Sequence, residues 1–394
     1  MPTKNRLDKL ILFFICISSV GLVFSNALTE IGVGFSIFLW IIKKSKDRKL
    51  FIPRKFIILS CLYILSVSLS LINSEYFLNS YRGLLRNIKY IVFCWVVLET
   101  LSFRKNLRIF ILVLLGGMSL ALLDGLYQNF WGVDFIRGRM INPIESLRRV
   151  SASFVHPNDF GCYLVTLFSV VLSLFILFKK RNQKYILMII DIVAIFLILK
   201  TFSRGAWLGW ISSVFLFFTI WKRRYFPIYA ISLVVILLIF SFLFKDRFLS
   251  LLDTHQGTVW ERLQLWRGTF SMIKEHPFIG FGINTYSRVF PKYKPLDYPD
   301  IRYAHNSYLQ MASEIGLVGL FSFLILIGYV FFKALYVFKN KSDVVGMGFL
   351  SGWVGFLIHA GVDTHLYSLC LSTLFWMFTG VILSMVKICE KNFQ

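Results

Sequence analysis

Acidic residues are scarce in this chain of 394 residues, which carries 20 Asp and Glu against 43 Lys and Arg. We find no group of acids spaced to bind a divalent cation, and no Gly-rich loop for a soluble nucleotide. The six cysteines are scattered singly, and none forms a pair at metal or redox spacing. We therefore interpret the cysteines as apolar filler, and we expect neither a metal site nor a cofactor.

Long apolar runs dominate the rest of the sequence. At 57% hydrophobic and 18% aromatic residues, the composition excludes an ordinary soluble domain. A membrane-spanning helix needs about 20 mostly apolar residues. Twelve segments fit, which predicts an all-α, polytopic integral membrane protein forming one membrane domain over residues 1–394. They are roughly 8–24, 27–42, 56–72, 87–102, 108–126, 159–178, 185–201, 205–221, 225–244, 312–332, 344–361 and 366–386.

The basic residues predict the orientation. More than half of the Lys and Arg residues fall at the two termini and in alternate connections between the spans. The positive-inside rule places these segments in the cytoplasm, with both termini. Much of the net charge of +23 is then explained by topology, and we do not interpret it as nucleic-acid binding. The first apolar run lacks a small-residue cleavage site, so we expect it to be a retained anchor.

One long polar loop, residues 245–311, separates the ninth and tenth spans and is predicted to lie outside the cytoplasm. Thr258 and Glu261 match a capping box, which predicts a helix that ends before His276 and Pro277. On that helix Arg262 and Arg267 point in different directions. No other segment outside the predicted spans has enough exposed polar side chains to act on a large substrate.

A basic stripe leads into the fourth span. Arg82, Arg86 and Lys89 recur at helical spacing near the outer interface. These side chains could bind an anionic substrate, or they could snorkel to lipid headgroups. Basic residues normally avoid this side of the membrane, which favours a substrate role.

Two further clusters precede the sixth and eighth spans. Pro157 forces His156 out of helical geometry, and Asn158 or Asp159 can cap the helix that follows. Capping alone would explain Asn158, and a structural role is the simpler interpretation of His156.

The second of these clusters contains Ser203 and Arg204. Ser203 can cap the eighth span, and Arg204 then lies at a helix N-terminus, where backbone N–H groups and a guanidinium converge on an anion. The alternative is an interfacial anchor that pairs with a nearby acid.

His305 and Asn306 stand at the start of the tenth span. The positive end of the helix and nearby guanidinium groups would keep an imidazole neutral there, as a general base requires. The alternative is a structural histidine whose hydrogen bonds are satisfied. Glu314 lies deeper in the same span and needs a cationic or hydrogen-bonded partner. Asp191, within the seventh span, raises the same question.

Six short motifs occur in a characteristic order. They are Ser-Phe-Val-His-Pro-Asn, Phe-Ser-Arg-Gly-Ala-Trp, Arg-Leu-Gln-Leu-Trp, His-Pro-Phe-Ile-Gly-Phe-Gly, His-Asn-Ser-Tyr-Leu-Gln and Glu-Ile-Gly-Leu-Val-Gly-Leu. From about Arg82 to Gly319 the chain resembles the O-antigen ligase family. The superfamily to which that family belongs also contains O-antigen polymerases and some protein-glycosylating enzymes. By this resemblance, Arg204 and Arg262 match the family's essential outer arginines, and His305 its essential loop histidine.

The resemblance implies a metal-independent, inverting glycosyltransferase of the bacterial inner membrane, active on the periplasmic side. Its donor would be a glycan on undecaprenyl pyrophosphate, and its acceptor a lipid A–core sugar. Arg204 and Arg262 would clamp the pyrophosphate, and His305 would deprotonate the acceptor. The further substrate-binding candidates are Arg82, Arg86, Lys89, His156, Asn158, Arg267, Asn306 and Glu314. A polymerase with the same donor chemistry is the first alternative, and a transporter of the lipid-linked glycan is an alternative of another class.

Overall fold

Eleven of the twelve predicted spans fall on helices of the computed structural model. It describes residues 2–47, 50–141, 148–222, 257–294 and 302–391, together with residues 224, 227 and 231. The predicted span 225–244 lies almost entirely outside these residues. Within the described ranges there is no strand, only an isolated bridge between Val133 and Met140. The long helices are α1 (Pro2–Phe24), α2 (Asn26–Asp47), α3 (Arg54–Leu69), α4 (Phe77–Leu101), α5 (Arg104–Trp131), α6 (Pro157–Leu177), α7 (Arg181–Lys200), α8 (Arg204–Trp221), α9 (Gly257–Glu275), α11 (Ser307–Lys341), α12 (Val344–Ala360) and α13 (Leu369–Lys391). The described residues also include a short α10 (Tyr286–Val289) and two 3₁₀ helices, Phe290–Lys292 and His365–Tyr367.

Among the described residues, seven helices are long and apolar enough to cross a membrane, and the shorter α12 is also apolar. The helices carry many large apolar side chains on the outside, for example Leu112 at 68% and Phe332 at 68% exposure. Such exposure is unfavourable in water and is expected on a surface that contacts lipid. The prediction of an all-α, polytopic membrane protein is confirmed.

The predicted cytoplasmic connections gather at one end of the bundle, which we call the basic end. There Lys44 pairs with Glu99 at 2.7 Å, and Lys333 pairs with Glu390 at 3.1 Å. The first contact joins the last turns of α2 and α4, and the second joins the last turn of α13 to the C-terminal part of α11. The opposite end, which we call the loop end, carries the α5–α6 connection and α9.

Close helix packing at the centre of the bundle aligns α6, α8 and α12. A Cβ atom added to Gly209 of α8 would lie 2.6 Å from the carbonyl oxygen of Gly355 in α12, so the two backbones touch. Ser169 of α6 and Ser213 of α8 share a hydrogen bond of 2.6 Å. Small residues at such crossings are typical of membrane helix packing. As a result, the loop ends of these three helices lie side by side.

Helix α11 is interrupted at Gly316, whose φ is +69°. The interruption frees backbone groups, and the segment after α9 binds to them. The N–H of Gly282 donates to the carbonyl of Glu314 at 2.8 Å, and the N–H of Leu317 donates to Pro277 at 2.7 Å. Glycine reaches a positive φ without a steric penalty, which explains the residue at this break. The loop is thereby fixed to the membrane helix that follows it.

Helix α9 ends at Glu275, as its sequence predicts. The sequence also predicts an apolar face formed by Trp260, Leu263, Phe270 and Ile273, but the buried face is a different one. Leu265 and Met272 are buried against residues such as Phe290 in a second, smaller core. The expected apolar face is exposed instead, with Trp260 at 39% and Phe270 at 50% exposure. Amphipathic periodicity alone does not distinguish a face that packs on protein from one that faces a membrane surface.

Candidate active site

The carboxylate of Asp363 lies at the centre of the polar cluster at the loop end. Its side chain is 11% exposed, in the turn between α12 and the 3₁₀ helix His365–Tyr367. His305 donates from Nδ1 to Oδ1 at 3.1 Å, and Asn158 donates from Nδ2 to Oδ2 at 2.6 Å. The guanidinium of Arg262 is 4.0 Å from Oδ2. Three candidates that are far apart in sequence therefore meet at one acid.

The charge state of Asp363 follows from these neighbours. Burial alone would raise its pKa, but the hydrogen bond from His305 and the electrostatic influence of the neighbouring His365 and Arg262 outweigh that effect. They hold the pKa of Asp363 well below its usual range. Because an ionised carboxylate only accepts hydrogen bonds, the proton of a neutral His305 resides on Nδ1. Its Nε2 is then free to accept a proton.

The backbone at His305 is held in an unfavourable conformation. Its φ is +48°, in the left-handed region that non-glycine residues rarely occupy. Such a conformation costs on the order of 1–3 kcal/mol and persists only when its surroundings enforce it. The preceding Ala304 is fixed on both sides, because its N–H donates to Gln310 and its carbonyl accepts from Trp266. The α11 N-terminus is in turn joined to the Asp363 turn, since Ser307 Oγ donates to the Asp363 carbonyl at 2.9 Å.

Helix α9 brings Arg262 to the same cluster. The indole of Trp266, one turn further along the helix, donates to the Ala304 carbonyl at 3.1 Å. This bond holds α9 beside the His305 segment, and Arg262 then reaches the Asp363 carboxylate. Arg267 points elsewhere and is exposed, as its spacing from Arg262 predicts.

Arg204 enters the cluster from α8. Ser203 is the N-cap, as predicted, and its Oγ accepts from the N–H of Ala206 at 3.3 Å. Arg204 is therefore in the first turn of a helix, at the positive end of its dipole. Arg204 and Arg262 line the same polar cavity, together with Arg149, Asn158 and Ser203 among others.

A second cavity adjoins the first and differs from it in chemistry. Arg204 and Arg262 line it too, but its remaining residues are mainly apolar and include Leu208, Leu263 and Trp266. Leu208 lies on the outer surface of α8 at 48% exposure, on a helix that we expect to face lipid. The two arginines thus stand where a polar cavity meets an apolar groove.

The basic stripe of α4 lies elsewhere. Lys89 pairs with Glu30 at 2.6 Å, and Arg82 is exposed. Arg86 lines a different cavity, beside Asn87 and Tyr367. The stripe therefore lines neither of the cavities that Arg204 and Arg262 share, and its role in substrate binding stays a prediction.

The capping prediction at α6 is wrong. The N-cap is His156, which is extended as Pro157 requires, is exposed, and makes no side-chain capping bond. Asn158 and Asp159 lie inside the first turn instead. Their side chains contact residues of the α12–α13 connection instead. Asn158 donates to Asp363, and Asp159 Oδ1 lies 3.4 Å from His365 Nδ1.

Asn306 and Glu314 have structural contacts. Asn306 is the N-cap of α11, and its side chain accepts from the N–H groups of Tyr308 and Leu309. Glu314 is 1% exposed and accepts from the N–H groups of Asn284 at 2.8 Å and Tyr286 at 3.0 Å. The partner expected for Glu314 is therefore backbone amide, and its carboxylate anchors the loop. For Asp191, Oδ1 is buried without a hydrogen-bond partner among the described residues.

Sequence reasoning missed Arg149 and Asp363. Arg149 donates to Asn158 Oδ1 at 2.9 Å and to the Thr201 carbonyl at 2.9 Å, which links the α5–α6 connection to the cluster. One signal was available. In a chain so poor in acids, Asp363 is an acid in a short connection at the end where Arg204 and Arg262 collect.

The sequence also matches known proteins over the region that carries the cluster. Residues 189–324 match the family model described as O-Antigen ligase, a segment that includes Arg204, Arg262 and His305. This segment, about a third of the chain, is similar to the O-antigen ligase family. The resemblance inferred from the motif order is therefore confirmed, although Asp363 lies beyond the matched segment.

Proteins that are similar to a larger part of this chain carry related names. A Rickettsia conorii protein named "Putative polysaccharide ligase" is 29% identical over 199 residues, 47% of this chain and 47% of its own length. A Rickettsia felis protein of the same name is 26% identical over 62% of this chain and 61% of its own length. The Bacillus subtilis "Teichuronic acid biosynthesis protein TuaE" is 22% identical over 61% of this chain and 52% of its own length. The chain thus matches about half to three fifths of the length of these relatives.

Proposed function

We propose that this protein is a membrane glycosyltransferase that moves a glycan from undecaprenyl pyrophosphate to a lipid A–core sugar, the O-antigen ligase reaction. One observation carries the proposal. Arg204 and Arg262 stand at the junction of a polar cavity and an apolar groove, next to the paired His305 and Asp363. A polyprenyl pyrophosphate has an anionic head, which suits the polar cavity, and an apolar tail, which suits the groove.

The arginines act on the leaving group. As the glycosidic bond breaks, negative charge grows on the pyrophosphate that departs. Guanidinium groups bind phosphate oxygens with two parallel hydrogen bonds, and in a partly dry site their charge stabilises the transition state. Arg204 and Arg262 can supply the charge that a divalent cation supplies in other enzymes. The groove beside Leu208 would admit the donor sideways from the membrane.

His305 acts on the acceptor. Its Nε2 takes the proton of an acceptor hydroxyl, and the oxygen attacks the anomeric carbon opposite the pyrophosphate, which inverts that centre. One carbon–oxygen bond forms and one breaks, and the proton passes to the imidazole. Asp363 keeps Nδ1 protonated and stabilises the imidazolium that results, as the acid does in a Ser-His-Asp triad.

The proposed reaction requires the loop end to face one particular side of the membrane. We propose that the basic end lies in the cytoplasm of a bacterial cell and the loop end in the periplasm, with residues 245–311 as the periplasmic loop of one membrane domain, 1–394. The ion pairs of Lys44 and Lys333 at the basic end support this orientation.

A polymerase that extends a glycan with the same donor is the second candidate. The relative named for teichuronic acid biosynthesis, and not for ligation, favours keeping it. The cluster at His305 suits either reaction, because the two differ in the acceptor.

The test is a transfer assay with purified full-length protein in detergent. Lipid-linked donor is supplied with either a lipid A–core acceptor or a free glycan acceptor. We expect one modified lipid A–core species per donor length and no ladder. A ladder of extended glycans would show polymerisation instead. Consumption of donor only in sealed vesicles, without any new glycosidic bond, would indicate transport and overturn the proposal.

A further inference from the structure

Three metal-ligating side chains meet behind the Asp363 turn, outside the chemistry proposed above. They are Cys162 in the second turn of α6, His359 in the last turn of α12, and His365 at the start of the 3₁₀ helix. All three are buried, at 0%, 0% and 1% exposure. One potential ligand atom from each lies within 4.8 Å of the other two.

In each of the two imidazoles, one ring nitrogen lacks a hydrogen bond to the described residues. Nδ1 of His359 and Nε2 of His365 are buried, and neither has a hydrogen-bond partner within the part of the chain that the structure describes. Buried polar atoms are nearly always satisfied, so two orphaned ring nitrogens beside one thiol require an explanation. A bound ion or water is the usual one.

The other nitrogen of each ring faces a polar group. Nε2 of His359 is 3.4 Å from Ser203 Oγ, and Nδ1 of His365 is 3.4 Å from Asp159 Oδ1. Metal-binding histidines commonly donate their second N–H to a carboxylate, hydroxyl or carbonyl, which fixes the ring and its tautomer. Both rings therefore show the outer contacts that a metal-binding imidazole has.

We propose that Cys162, His359 and His365, with a water molecule as the fourth ligand, bind one zinc ion, which ties the Asp363 turn to α6. One thiolate and two imidazoles are a ligand set that zinc favours, with a fourth position left over. Zinc bonds of about 2.0–2.3 Å place ligand atoms roughly 3.3–3.6 Å apart in a tetrahedron. The side chains would close together by about 1 Å on binding.

The position gives the ion a structural role. His359 and His365 stand four residues before and two residues after Asp363, so an ion that binds both fixes the turn that carries this acid. Cys162 belongs to the same helix as Asn158, the other anchor of the Asp363 carboxylate. The soft, fully buried ligands differ from the oxygen ligands of a cation that binds pyrophosphate. The zinc site and the transfer chemistry are therefore separate.

The experiment measures metal in the intact protein. The chain is purified without a polyhistidine tag and without chelator, and bound metal is measured by mass spectrometry before and after incubation with zinc. We expect about one zinc per chain, and less than about a tenth of that in Cys162→Ser and His365→Ala. Cys94→Ser is the matched control, because Cys94 is equally buried but lies in α4, and it should retain the ion.

A second measurement covers variants that fail to fold. Cobalt bound to the wild-type protein should show thiolate-to-metal charge-transfer absorption, and added zinc should abolish it. Wild-type protein that holds no metal even after incubation with zinc would overturn the proposal, because the orphaned nitrogens would then be satisfied by water. A metal content unchanged in folded Cys162→Ser would overturn it equally.

Discussion

Replacing Asp363 by asparagine tests the pairing at the centre of the cluster. The change removes the negative charge that faces His305 and Arg262 while it hardly alters the size of the side chain. A hydrogen bond to a charged group contributes about 1.5–3 kcal/mol. Since each 1.36 kcal/mol is tenfold in rate, turnover should fall by about 10- to 150-fold. Donor affinity should change less, because both arginines remain.

The assay compares turnover and donor affinity of purified variants at saturating acceptor. Glu75→Gln is the matched control, because Glu75 pairs with Lys292 on the exposed surface, and its loss should leave turnover unchanged. The double variant with His305→Asn should be little slower than His305→Asn alone, since residues that act as a unit are not additive. Folded Asp363→Asn with wild-type turnover would refute the role given to this acid.

Three further outcomes follow from the geometry. Arg262→Ala should lower turnover roughly 10²-fold by removing one stabilising donor, whereas Arg267→Ala on the exposed side of α9 should not, in the same assay. Gly316→Ala should lower the free energy of unfolding by at least about 1–2 kcal/mol, because the φ of Gly316 is +69°. Gly328→Ala is the control and should not lower it, because an added Cβ at Gly328 would meet open space. Asp363 has a depressed pKa in the folded protein, so its stabilising effect is full at neutral pH and declines with acid. The difference in melting temperature between wild type and Asp363→Asn should therefore shrink as the pH falls below about 4.

Local signals in the sequence predicted the local features of the structure. The cap at Ser203, the position of Arg204 and the end of α9 at Glu275 depend on a few neighbouring residues, and all three are confirmed. The length and composition of the apolar runs likewise predicted the membrane helices, because the thickness of the bilayer limits their length.

Features that depend on packing could not be predicted in the same way. Asn158 is a good capping residue by type, yet it binds Asp363, which is 205 residues away in sequence. Cys162 was interpreted as filler, since nothing in its spacing indicates that His359 and His365 lie beside it. These contacts depend on how the glycine-rich faces of α8 and α12 bring three helix ends together.

The arginines that depart from the positive-inside rule indicate where the site is. In the orientation proposed above, Arg149, Arg204 and Arg262 collect at the loop end, on the side of the membrane where the positive-inside rule disfavours them. An arginine in such a place needs an anionic partner. Asp363 is one such partner, and we propose that the donor pyrophosphate is the other.

The central claim is that the arginines bind the donor and that His305 activates the acceptor within one site. Donor binding and glycan transfer measured on the same preparations of Arg204→Ala and His305→Asn test it most directly. We expect Arg204→Ala to lose both, whereas His305→Asn should still bind lipid-linked donor and transfer the glycan about 10²- to 10⁴-fold more slowly. Normal transfer by folded His305→Asn, or normal donor binding by Arg204→Ala, would contradict it.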